Sequence, residues 1–263
     1  MSDYNYDSAN NYNYDIFNPG TDSYQGGMGA EGYQNTDYVQ TEGINGLRSI
    51  ATEKVVTKSF VFMVVALFIT AFAALITSPA TGFKLFMGPS LVVLFIAEMA
   101  IVFISTAAIK KNNAILAGIL YTVYSFLTGM TFSTLLYLYK QSEIYSAFFA
   151  TALMFAIMAV IGLTTKKDLT GIGSLCMMGL IGLIIASVLN IFVFHAENGL
   201  ILSIVGVLIF VGLTAYDTQK IKQMALYSTT ETENCLALFG AFQLYLDFIN
   251  LFLYILRIMS RKK

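Results

Sequence analysis

Residues 200–222 read LILSIVGVLIFVGLTAYDTQKIK, with no charge before Asp217. A helix crossing the ~30 Å hydrocarbon core of a bilayer needs about 20 mostly apolar residues at 1.5 Å each, and this run supplies them. It is too long for a strand and lacks the alternation of an outer-membrane barrel. Comparable runs occupy 59–77, 90–109, 114–138, 145–164, 172–194 and 235–257. The expectation is an all-α integral membrane protein with seven transmembrane helices.

Composition points the same way. Hydrophobic residues make up 57% of the 263 and charged residues 12%, against roughly 25% charged in soluble domains. The net charge of −1 leaves no basic footprint for nucleic acid. Two cysteines, Cys176 and Cys235, exclude a disulfide scaffold and a four-cysteine zinc site. A single histidine, His195, excludes mechanisms that need two imidazoles. The expected surroundings are a lipid bilayer, with no cofactor.

Residues 1–46 differ from the rest. They carry seven acids, no Lys or Arg, and many Tyr, Asn and Gly. Such a segment buries too little to offset its ordering entropy, and reads as a disordered acidic tail ahead of a membrane domain at 47–263. It has no basic, then apolar, signal-peptide pattern.

Basic residues set the expected orientation. Arg48, Lys54, Lys58, Lys110, Lys111, Lys166, Lys167, Lys220 and Lys222 fall on one side, and Lys84 and Lys140 on the other. This places the N-terminus in the cytosol. Arg257, Arg261, Lys262 and Lys263 then end outside if the seventh run crosses, and inside if it dips and returns. The run is long enough to cross, so a full span is expected. Small residues (Gly118 and Gly129 in the third run, Gly179, Gly182 and Ala186 in the fifth) suit close helix contacts.

Three carboxylates stand inside these runs: Glu98, Asp217 and Asp247. Each costs roughly 2.5–3.5 kcal/mol near the bilayer centre on insertion scales, so each is a functional candidate. Asp217 lies close enough to a helix end for a water-exposed alternative. Asn190 and Asn250 suit interhelical hydrogen bonds. Asp247 lies about 18 Å into its helix from Cys235 and Asp217 about 8 Å from Lys222. For the two to meet, the sixth helix must run past Lys222 toward Tyr227, leaving a loop near 228–234.

The stretches Leu213-Thr214-Ala215-Tyr216-Asp217-Thr218-Gln219-Lys220-Ile221-Lys222 and Leu244-Tyr245-Leu246-Asp247-Phe248-Ile249-Asn250-Leu251-Phe252 resemble the transmembrane Bax-inhibitor-motif family. Thr165-Lys166-Lys167-Asp168-Leu169-Thr170 and Gly179-Leu180-Ile181-Gly182-Leu183-Ile184 look like it too, and the likeness covers about residues 47–260. The resemblance implies a bacterial inner-membrane member with two three-helix layers around a central seventh helix. It also implies a pH-sensitive calcium leak channel, with calcium and protons as its partners. By motif, Asp217 and Asp247 are the proton-sharing gate and transient calcium ligands. Glu98 matches an acid of the second helix and, with Asn250, is assigned to the ion path. Lys110 or Lys111 is the charge partner implied for the pair.

Two carboxyls in a dry site cannot both ionise cheaply, so they titrate as one coupled unit. Other classes fit less well. An intramembrane aspartyl protease also begins with Tyr-Asp, as at Tyr216-Asp217. Its second motif, Gly-x-Gly-Asp, is here Tyr245-Leu246-Asp247, and no proline follows Pro89. A non-enzymatic regulator of a membrane protease or cell-death partner remains an alternative. A retinal receptor lacks its Schiff-base lysine in the seventh run.

Overall fold

The computed structural model describes residues 34–77, 89–189 and 199–260. Residues 1–33 of the acidic tail, Lys84, Asn190, His195, Arg261, Lys262 and Lys263 lie outside them. The described residues form seven helices and no strand: α1 (Gln34–Ile76), α2 (Pro89–Lys110), α3 (Ala114–Leu138), α4 (Gln141–Thr164), α5 (Thr170–Leu189), α6 (Gly199–Ala225) and α7 (Glu233–Ser260). The chain divides into two units at Ile50–Ala51. The described part of the first is helical from Gln34, so its helix begins within the segment that composition assigns to the tail. The second holds the rest of α1 and the other six helices.

The helices follow from uninterrupted apolar sequence, and local chemistry ends them. α2 opens on Pro89, a residue tolerated in the first turn, where its missing N–H costs no hydrogen bond. Between α2 and α3, Asn112 takes the left-handed conformation at φ 54°, which Asn tolerates better than most residues. Asn113 then caps α3, its side chain accepting from the Leu116 amide at 3.0 Å. Before α5, Asp168 Oδ1 accepts from the Thr170 amide at 2.9 Å and from the Thr170 hydroxyl at 2.6 Å.

Among the described residues six stretches are long and apolar enough to cross a membrane: Ser49–Ile76, Ala114–Leu138, Gln141–Thr164, Thr170–Ser187, Gly199–Ala225 and Glu233–Ser260. Their burial is unequal. In α7, 61% of the most apolar window is buried, against 33% or less in the other five. α7 packs against α2, α3, α4 and α6, and α6 in turn against α4 and α5. α7 is also unbroken over its 28 residues, so it does not turn back within them.

Lipid tails are as apolar as leucine, so close packing and hydrogen bonds hold such helices together. A β-carbon on Gly129 would collide with the Thr70 backbone of α1, and one on Gly162 with the Ala215 carbonyl of α6. The sequence reading named other glycines as well, and the structure corrects it there. A β-carbon on Gly182 would meet open space, and one on Gly118 only the Leu238 side chain, at an ordinary contact of 3.8 Å. A β-carbon on Gly179 would sit close, 3.1 Å from the Ile209 side chain.

Candidate functional site

α6 runs three residues past Lys222, to Ala225, and α7 begins at Glu233. That extension sets Asp217 at the level of Asp247. Asp217 is 7% exposed and Asp247 4%, so neither reaches water by snorkelling. Their carboxyls lie within hydrogen-bonding reach of each other. The Gln243 amide, one turn before Asp247 on α7, approaches Asp217 Oδ1 at 3.5 Å. Asp247 Oδ2 and Gln243 Oε1 are buried without a hydrogen-bond donor.

Neighbouring hydroxyls do not relieve this shortage. Thr214 donates to the Phe210 carbonyl at 2.8 Å and Thr218 to the Thr214 carbonyl at 2.6 Å, both within α6. Two close carboxyls with so few donors are built to share a proton or to face a cation. Among the described residues no group of three or more His, Cys, Asp or Glu is placed to hold a metal. The pair and the Gln243 carbonyl are thus the available oxygens, short of the six to eight that calcium prefers.

The cation acting on Asp217 is Lys220, three residues along the same helix. Its ammonium lies 5.8 Å from the Tyr216 ring and 5.7 Å from the Phe239 ring of α7. Lys110 ends α2 and Lys111 follows it, exposed. Among the described residues no hydrogen bond or ion pair joins either lysine to the aspartates.

Glu98 belongs to a different group. It accepts from the Thr131 hydroxyl at 3.4 Å, and its charge is felt at the Tyr124 and Tyr245 phenols. The Tyr245 hydroxyl meets Thr70 Oγ1 at 2.6 Å, and Thr70 also lies 3.0 Å from the Ser125 carbonyl. The buried Thr128 hydroxyl faces both phenols. Tyr245 and Asp247 leave α7 about 200° apart, so this cluster and the carboxyl pair occupy opposite sides of it. A crevice of about 470 Å³ lies on the same side as the Glu98 cluster, between α1, α3 and α7, lined by Phe62, Ala66, Tyr121, Ser125 and Leu238 among others. Asn250 donates back to the Leu246 carbonyl of its own helix at 2.8 Å.

Polar ties hold the ends of α6 and α7. Gln219 donates to the Lys167 carbonyl and accepts from the Leu169 amide, both at 2.8 Å. Lys222 donates to the Leu163 carbonyl at 2.6 Å. Lys58 of α1 pairs with Glu233 at 2.7 Å and bonds Asn234 at 3.0 Å. The Gln219 bonds bring Asp168 beside α6, where its charge is felt at Tyr216. Hydrogen bonds from Thr170 hold the Asp168 carboxyl below the ordinary range, so it stays ionised.

Sequence reading missed Gln243 and Lys220 as neighbours of the pair. The signals were present: Gln243 precedes Asp247 by four residues and Lys220 follows Asp217 by three, spacings that share a helix face.

Comparison with known proteins adds the context. The family model described as "Inhibitor of apoptosis-promoting Bax1" matches residues 52–263. Inner membrane protein YbhL of Escherichia coli K12 is 41% identical over 208 residues, 77% of this chain and 89% of that protein. An uncharacterized protein of Borreliella burgdorferi is 39% identical over 215 residues, 80% of this chain and 93% of its own. An uncharacterized membrane protein of Streptococcus pyogenes serotype M1 is 37% identical over 166 residues, 63% of this chain and 72% of its own.

Proposed function

This chain belongs to the family of inhibitors of apoptosis-promoting Bax1 and is an integral, multi-pass membrane protein; on that premise we propose that it is a calcium leak channel gated by protonation of Asp217 and Asp247. One observation carries the reading: two carboxyls from adjacent helices are buried within reach of each other, with the Asp247 Oδ2 left without a donor. A proton between them supplies that donor and ties α6 to α7. Its loss leaves two like charges in a site of low dielectric, which drives the helices apart and frees the oxygens. A calcium ion there meets too few protein ligands to be stored, so water completes its shell and it moves on.

In this proposal all seven helices span, six of them in two layers of three around α7. The N-terminus is cytosolic and the C-terminus lies on the other side. The membrane is the inner membrane, the location carried in the name of the E. coli relative. Glu98 and Asn250 are further polar stations on the ion path. No reaction is assigned to the pair, since the second motif of an aspartyl protease is absent.

The test is calcium flux into proteoliposomes of purified protein as pH is varied. Wild-type flux is expected to rise with pH as the shared proton leaves. Asp217→Asn and Asp247→Asn, each unable to ionise, are expected to lose most of that pH dependence. Wild-type pH profiles from both folded variants would remove the pair from the gate.

A further inference from the structure

The ammonium of Lys220 has a seat made by three helices. Tyr216 of α6 forms one wall and Phe239 of α7 another, with ring centres 5.8 and 5.7 Å from Nζ. Both distances fall inside the ~6 Å range of cation–π attraction. α5 makes room for the first wall: a β-carbon on Gly173 would collide with the Tyr216 ring. Lys220 is half-buried, as are Tyr216 and Phe239, so the charge is partly withdrawn from water.

The seat lies between the carboxyl pair and the α6–α7 connection. Phe239, Gln243 and Asp247 recur every four residues along one face of α7. The Phe239 ring is therefore two turns, about 12 Å, from Asp247, toward the α6–α7 connection. On α6, Lys220 is displaced from Asp217 in the same direction, and its charge acts on Asp217. Two other lysines of this end are engaged elsewhere. Lys222 is bonded to the Leu163 carbonyl, and Lys58 is paired with Glu233. Asp168, ionised and exposed, stands beyond Tyr216.

We propose that Lys220 is a tethered cation that plugs the approach to Asp217 and Asp247 from the α6–α7 connection, competing with the transported cation for Asp217. The inference rests on the channel reading above. Tyr216 and Phe239 hold the ammonium close enough to offset the Asp217 charge, yet without the ion pair that would fix it there. A calcium ion arriving from this end displaces the ammonium outward, toward Asp168. The clamp therefore sets how readily a divalent cation reaches the pair.

The experiment measures calcium binding to the full chain in lipid nanodiscs by titration calorimetry, and calcium flux in proteoliposomes, at one pH. Lys220→Met keeps the stem and removes the charge. It is expected to tighten calcium binding about tenfold, the scale of losing one nearby opposite charge, and to raise flux. Lys220→Arg keeps both charge and ring stacking and is expected to match wild type. Phe239→Leu keeps the charge but opens the clamp, and is expected to fall between the two. Calcium binding unchanged in folded Lys220→Met and Phe239→Leu overturns the plug. So does an equal gain in Lys220→Arg, which would trace the effect to packing. A tighter-binding Lys220→Met in a protein that carries no flux keeps the plug and overturns the channel. pH-gated flux with unaltered Lys220→Met binding does the reverse.

Discussion

Tyr245 and Asp247 are two residues apart on the same helix and belong to different chemistry. The Thr70 hydroxyl is directed at the Ala66 and Ser125 carbonyls, so the Tyr245 hydroxyl is the donor in their 2.6 Å contact. Removing it leaves Thr70 with partners, and Tyr245→Phe is expected to cost about 0.5–1.5 kcal/mol of stability. The pH profile of flux should stay as in wild type, because the phenol points away from Asp247. Thermal unfolding in detergent reads the first outcome and proteoliposome flux the second. A changed pH profile in Tyr245→Phe would join the two clusters into one site. Asp247 stood out in the sequence, because a short carboxylate deep in an apolar run has few bland explanations, whereas Asp217, nearer a helix end, kept a water-exposed one. Lys220 was not legible. A lysine near a helix end ordinarily sends its charge to water, and nothing local in the sequence announces that Phe239 of the next helix will meet it.

Helix positions were readable for a simple physical reason. Each run is long, apolar and bounded by charge, and the sixth helix extends past Lys222, as the meeting of its aspartate with the seventh required. Which faces touch was harder to read. Small residues mark where helices approach only if a neighbour is there to approach, and spacing within one helix does not name that neighbour. Gly162 and Gly182 are the contrast: the first lies against the Ala215 carbonyl of α6 and the second faces open space. Gly162→Ala is therefore expected to destabilise by roughly 1–3 kcal/mol, the cost of forcing an added carbon into a packed contact. Gly182→Ala should be neutral or slightly stabilising through better helix propensity. Thermal unfolding of the pair in one detergent checks both. Because Gly162 packs two residues from Asp217, its variant should also alter flux more than Gly182→Ala does.

At the scale of the molecule, the family match begins at residue 52 and the second unit at Ala51. The ties described above at the ends of α6 and α7 fall beyond that point, from Lys58 onward. A chain beginning at residue 47 should carry flux within about twofold of the full chain, because the removed segment's polar composition offers little apolar surface to a core. A large change with folding intact would make residues 1–46 part of the gate. Among the six described candidate spans α7 is the most buried, and it follows the other helices in sequence. During synthesis α2, α3, α4 and α6 leave the ribosome before α7, the helix they pack against, exists. Until it arrives, Asp217 faces lipid or water without Asp247, and the Thr70 hydroxyl waits without its phenol. The contacts of α2, α3, α4 and α6 with α7 therefore form only once α7 has been made. A chain that stops short of α7 leaves those faces uncovered, exposed to quality-control proteases.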